Sequence, residues 1–112
     1  MSIQMLFHIT QDATWQAAKA AGIYRAPSLT TEGFIHLSTA EQVVSTANRF
    51  YKGQPELVLL GIEEERLQAE VRYENVPSHG VFPHLYGPIN VEAVEQVWDL
   101  KPERDGTFNW QP

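Results

Sequence analysis

Residues 33–39 read Gly33-Phe34-Ile35-His36-Leu37-Ser38-Thr39, and this stretch decides how the chain is read. Gly33 to Leu37 is an apolar run of strand length. The two hydroxyl residues after it signal a helix start. Ser38 stands at the N-cap and Glu41 follows three residues later, which is a capping box. The spacing predicts a helix through about Tyr51, with Val43, Ala47, Phe50 and Tyr51 as one buried stripe. Lys52-Gly53 ends it. Adjacent side chains of a strand point to opposite faces. With Ile35 and Leu37 in a core, His36 faces a different environment.

The same pattern extends in both directions. Upstream, residues 5–9 (MLFHI) form a strand with His8 inside it. Thr10 caps a helix over residues 11–21, and Gly22 sits where a helix C-terminus takes a left-handed residue. Residues 23–32, with Pro27, read as a loop. Downstream, residues 57–62 (LVLLGI) are a continuous apolar strand suited to the centre of a sheet. Residues 63–67 make a connection of one helical turn, 71–76 a strand and 77–80 a turn. Residues 82–88 (FPHLYGP) resist typing because two prolines limit ladder hydrogen bonds. Residues 91–100 fit a strand better than a short helix, and Asp105-Gly106 is a turn. Strand, helix, strand, helix and then mostly strands is an α+β order, with two helices in the N-terminal half.

Composition narrows the function classes. A chain of 112 residues with 43% hydrophobic and 20% charged residues suits one globular domain, 1–112. The absence of cysteine excludes a disulfide framework and a thiolate nucleophile. The net charge of −6 and eight scattered Lys/Arg disfavour nucleic acid as a partner, although a local anion pocket fits. Glu63-Glu64-Glu65 reads as a solvated turn. No run reaches the roughly 20 apolar residues of a membrane span. The first ten residues lack a basic region and a signal-peptide core, so a cytoplasmic protein with no membrane partner is expected. Nothing in the sequence sets an oligomeric state. Gly-rich nucleotide motifs and the nucleophile elbow are missing.

The candidate site residues start from the histidines. His8, His36 and His84 each sit in an apolar, strand-like context. One such histidine alone reads as a satisfied core group. Three in similar settings point to a shared cleft. Histidine suits acid–base work near neutral pH. Glu32 and Glu74 are the carboxylates nearest the motifs, and Glu74 could pair internally to orient a site. The helix start after Ser38 offers N–H groups to an anion. Arg25 and Ser28 in the preceding loop and Arg49 on the helix could reach that ligand. A three-histidine zinc site is the alternative, but no HxH or HxxxH spacing supports it, so no metal is expected.

Phe7-His8-Ile9-Thr10, Ala26-Pro27-Ser28-Leu29, GFIHLST, Arg49-Phe50-Tyr51 and FPHLYGP together resemble a family of small bacterial proteins known as a domain of unknown function. The likeness covers roughly residues 5–108. More distantly, the layout resembles the ADP-ribosyltransferase superfamily. That resemblance implies a split β core and NAD, or a similar small-molecule nucleotide, as ligand or substrate. By it, His8 and Thr10 hold ribose, His36 stacks on the base, and His84 with Tyr86 serves as base or orienting group. His84 falls where the polymerase-like branch has its catalytic glutamate. A neutral imidazole carries no charge to stabilise an oxocarbenium-like sugar. The expected function is therefore nucleotide binding with an uncertain ribosyl- or phospho-transferase activity. The alternatives are a binding module without catalysis and a structural protein whose histidines are core groups.

Overall fold

The computed structural model describes residues 4–112. Strand β1 (Met5–Gln11) opens the chain, followed by helix α1 (Asp12–Ala21), β2 (Ile23–Tyr24) and the short helix α2 (Pro27–Thr31). Strand β3 (Ile35–His36) leads through a 3-10 turn into helix α3 (Val43–Phe50). The remainder is β4 (Leu57–Glu63), β5 (Glu70–Val76), β6 (Gly80–Tyr86), β7 (Ile89–Asn90) and β8 (Val94–Leu100). All pairings are antiparallel: β1-β4-β8, β2-β7 and β3-β6-β5. The fold is α+β, with several antiparallel sheets and few helices. No helix among the described residues is long and apolar enough to cross a membrane.

The core is split between two sheets. Leu57–Ile62 of β4 is buried on both faces, as its unbroken apolar run requires. Leu6, Leu60 and Ile62 join Ile35, Leu85 and Ile89 on one side. Phe7, Leu59 and Leu100 join Val43, Ala47 and Phe108 on the other. Each such side chain contributes roughly 1.5–3 kcal/mol by leaving water. Gly61 is a close approach: an added Cβ would lie 2.8 Å from the Trp98 ring.

The two sheets meet at one bridge. The amides of Phe7 and Ser38 each donate to the other's carbonyl at 2.8 Å. Just before that bridge, Leu37 N donates to the carbonyl of Pro83 at 3.0 Å. The nitrogen and carbonyl of a strand residue point to the same side, so the donor that Pro83 lacks is on the β3 side. Pro83 therefore costs β6 no bond to β5. Strand β6 is central in its sheet with a proline inside it, and residues 82–86 are strand where the local sequence resisted typing.

Several expectations need correction. Thr10 is a strand residue, not a cap, and Gln11 holds the N-cap without a side-chain bond. The capping box is one residue later than expected, formed by Thr39 and Gln42. Ser38 is taken by its bridge to Phe7. Residues 27–31 are helical, because Pro27 at the first turn has a φ already suited to a helix. Phe50 is 63% exposed and leaves the stripe to Val43 and Ala47, with Tyr51 half-buried. Gly22 does close α1 in the left-handed region, at φ 81°.

Candidate functional site

The site grows from one rung of the β3-β6-β5 sheet. His36 pairs with His84, and His84 pairs with Arg72. Paired residues share a face, so the two imidazoles lie side by side. Ile35 and Leu85, one residue away, enter the core on the other face and are fully buried. The Leu37 N to Pro83 O bond makes 37/83 a hydrogen-bonded rung, so 36/84 is the closer, non-hydrogen-bonded kind. The ring centroids are 5.4 Å apart, edge to face. Phe34 stacks flat on His84 at 4.1 Å and meets His36 edge-on at 4.9 Å.

Each of these histidines has its own carboxylate. His84 Nδ1 lies 2.8 Å from Glu74 Oε1, and the same oxygen accepts the Tyr86 hydroxyl at 2.5 Å. The bonds from Tyr86 and then His84 hold the Glu74 carboxyl below the usual carboxylate range, so it is ionised and accepts only. His84 must then carry its proton on Nδ1. His84 is 5% exposed, and its Nε2 is buried with no partner. His36 Nε2 lies 3.0 Å from Glu32 Oε2 on the exposed side.

His8 is built differently. Its Nδ1 donates to the His36 carbonyl at 2.8 Å, since a carbonyl can only accept. Burial pushes the imidazole down to about 4, against the weaker opposing pull of that bond. The neutral ring thus offers Nε2 as an acceptor. Tyr24 Oη donates to it at 2.8 Å, and the Thr10 hydroxyl, 3.1 Å from Tyr24 Oη, donates in turn. Burial raises the Tyr24 phenol. Both ring nitrogens of His8 are satisfied, and the chain of bonds ties β1 to the backbone of β3.

All four histidines line one cleft of about 390 Å³. His8, His36 and His84 converge there with Ser38 and Arg49. His79, in the turn before β6, is the fourth. It was missed because a polar turn gives a histidine no reason to stand out. Phe7, Ile9, Leu37, Phe50 and Phe82 supply apolar walls. Among the described residues no carboxylate lines the cleft. Thr10, Arg25 and Ser28 are outside the lining. Thr10 is buried under Tyr24, Arg25 is exposed, and Ser28 Oγ donates to the Phe34 carbonyl at 2.8 Å. Glu74 and Tyr86 also stand outside it, behind His84. At the expected anion site before α3, two amides are already committed. The Ser38 amide serves the bridge and the Thr39 amide donates to Gln42 Oε1 at 3.0 Å. For the zinc alternative, no three His, Asp or Glu donors gather as a metal requires among the described residues.

Comparison with known proteins adds kinship without an activity. Residues 9–97 match a family model described as a protein of unknown function, DUF952. No curated protein matches the sequence. The crystal structure of protein CC0527 from Caulobacter crescentus is similar over 94% of this chain and 93% of that one, with 38% identity and a TM-score of 0.86. The solution NMR structure of CC0527 is 38% identical over 92% of this chain and 90% of that one, with a TM-score of 0.80.

Proposed function

The chain belongs to the DUF952 family of proteins of unknown function, and we propose that it uses the four-histidine cleft to bind a nucleotide of the NAD or ADP-ribose type. The observation that carries this reading is the gathering of His8, His36, His79 and His84 around one apolar-walled cavity of about 390 Å³. The cavity has the size of a small-molecule site and the expected mixture of apolar walls and few polar groups. Arg49 at the lip offers the phosphates a cation, in place of the amides at the start of α3. His36 offers a flat ring beside the cavity for stacking. The distant likeness of the sequence motifs to ADP-ribosyltransferases points to the same ligand class.

Recognition is favoured over ribosyl transfer. Sugar-centred transfer calls for a negative charge at the ribose. Glu74, the carboxylate closest to that role, is turned behind His84 and committed to two hydrogen bonds. The deciding experiment is a thermal-shift titration with NAD, ADP-ribose, nicotinamide and zinc on the native protein and on His36→Ala. A ligand that binds the folded state raises the midpoint by mass action. The expected result is a rise with NAD or ADP-ribose that shrinks in His36→Ala. No rise with any nucleotide at millimolar concentration overturns the reading.

A further inference from the structure

We infer that Phe50 and Arg49, neighbours at the end of α3, form a two-part grip at the lip of the cleft: the Phe50 ring stacks on the base of a nucleotide, and the Arg49 guanidinium holds the phosphate one sugar away. This grip rests on the nucleotide reading and names the residues that hold two parts of the ligand.

Phe50 breaks the pattern of its helix. It lies three residues after Ala47 and seven after Val43, the two buried residues of α3, so it continues their stripe. The stripe nevertheless ends in a residue that is 63% exposed. Of the five phenylalanines it is the one left in water, since Phe7 and Phe108 are buried and Phe34 and Phe82 are half-buried. A lone exposed apolar residue is ordinary on a surface. This one is set in the wall of the cleft, on the same helix as Thr46 and Arg49. A flat ring that its own fold leaves uncovered beside a cavity is a platform for another flat ring.

Arg49 supplies the second part. Its guanidinium carbon lies 5.7 Å from the centre of the Phe50 ring. A basic residue in the last turn suits the helix dipole by itself. Yet among the described residues Arg49 has no carboxylate partner, in a chain with 14 Asp and Glu against eight Lys and Arg. It is also the one Lys or Arg of the lining, which holds no carboxylate among the described residues. An anion thus meets attraction here, on a molecule whose net charge is −6. Phe50 suits a flat ring and Arg49 an anion, and the step between them is comparable to one sugar. A nucleoside 5′-phosphate carries these three parts in that order.

The test is titration calorimetry with adenosine, AMP and ADP-ribose on the native protein, Phe50→Ala, Phe50→Tyr and Arg49→Gln. Both residues are exposed, so the variants should unfold at the native midpoint. Phe50→Ala is expected to weaken AMP and ADP-ribose about tenfold, as loss of one stacked base allows. Phe50→Tyr keeps the ring and should bind as the native protein does. AMP should bind the native protein about tenfold more tightly than adenosine, and Arg49→Gln should abolish that preference. Native affinity in Phe50→Ala overturns the grip. So do equal affinities for AMP and adenosine, a preference that survives Arg49→Gln, and failure of AMP to bind. If ADP-ribose binds in any of these cases, the grip falls and the nucleotide reading stands. If no nucleotide binds, both fall.

Discussion

Two buried histidines line one cleft and are held in different ways. At the β1–β2 corner, His8 uses both nitrogens on its own protein. On the β3-β6-β5 sheet, His84 uses one and leaves the other bare. They are almost equally hidden, at 8% and 5% exposure. Burial therefore does not tell the two apart; the count of unused hydrogen-bonding atoms does. His8 replaces missing ladder bonds where β1 and β3 are joined by a single bridge, and it does so with a side chain. His84 is held through Nδ1 alone, by Glu74.

The comparison can be broken most directly at His8. His8→Ala removes a packed ring and strands the His36 carbonyl and the Tyr24 hydroxyl. We expect a loss of about 4 kcal/mol in urea unfolding. His84→Phe should cost less, about 1–2 kcal/mol, since the replacement keeps the stack on Phe34 and loses one hydrogen bond to Glu74, which retains Tyr86. If His84→Phe proves the more damaging of the two, the division between scaffold and site is wrong.

Acid comes next in size. The folded His8 pKa lies near 4, below the 6.5 of an ordinary imidazole. Its neighbours are Tyr24, held neutral, and the half-exposed His36. Between pH 6.5 and 4 the unfolded chain takes up a proton at His8 that the folded chain refuses. Stability must then fall as pH drops through this window, by about 3 kcal/mol in all. Denaturation midpoints measured across the window should flatten in His8→Asn. A native protein whose stability is level from pH 6.5 to 4.5 contradicts the assignment.

Tyr24→Phe sharpens the comparison by making His8 resemble His84. It leaves His8 Nε2 without its donor, and it should lower stability by about 1–2 kcal/mol. The smallest effect belongs to the exposed pair. Glu32→Gln removes the carboxylate beside His36 and should change stability by no more than about 0.5 kcal/mol. The same denaturant series reads both.

Much of this arrangement is visible in the sequence, and the reasons for the rest are physical. Alternation in GFIHLST assigns Ile35 and Leu37 to the core and His36 to the opposite face, and this holds. The apolar run 57–62 announces a strand buried on both sides. Gly22 announces the end of α1. FPHLYGP hides its strand because the cost of a proline depends on which side its missing donor faces. That is set by β3 and β5, far away in sequence. Phe50 satisfies the helical period and is exposed all the same, since the period cannot tell a core from a cleft. The convergence of His8, His36, His79 and His84 is tertiary, and no local spacing encodes it. The difference between His8 and His84 is subtler still. It depends on Tyr24, Glu74 and the His36 carbonyl, all of them contacts across the sheet.

Pro83 sets the place where β3 and β6 part. At the rung where β3 and β6 would continue to zip together, the proline can accept a bond and cannot return one. The chain after Leu37 gains less by following β6, and it crosses to β1 instead. Closing the gap would bring no compensating bond from Pro83. The parting of the two strands at this rung is thus written into the covalent structure of one residue, the type that has no hydrogen to give.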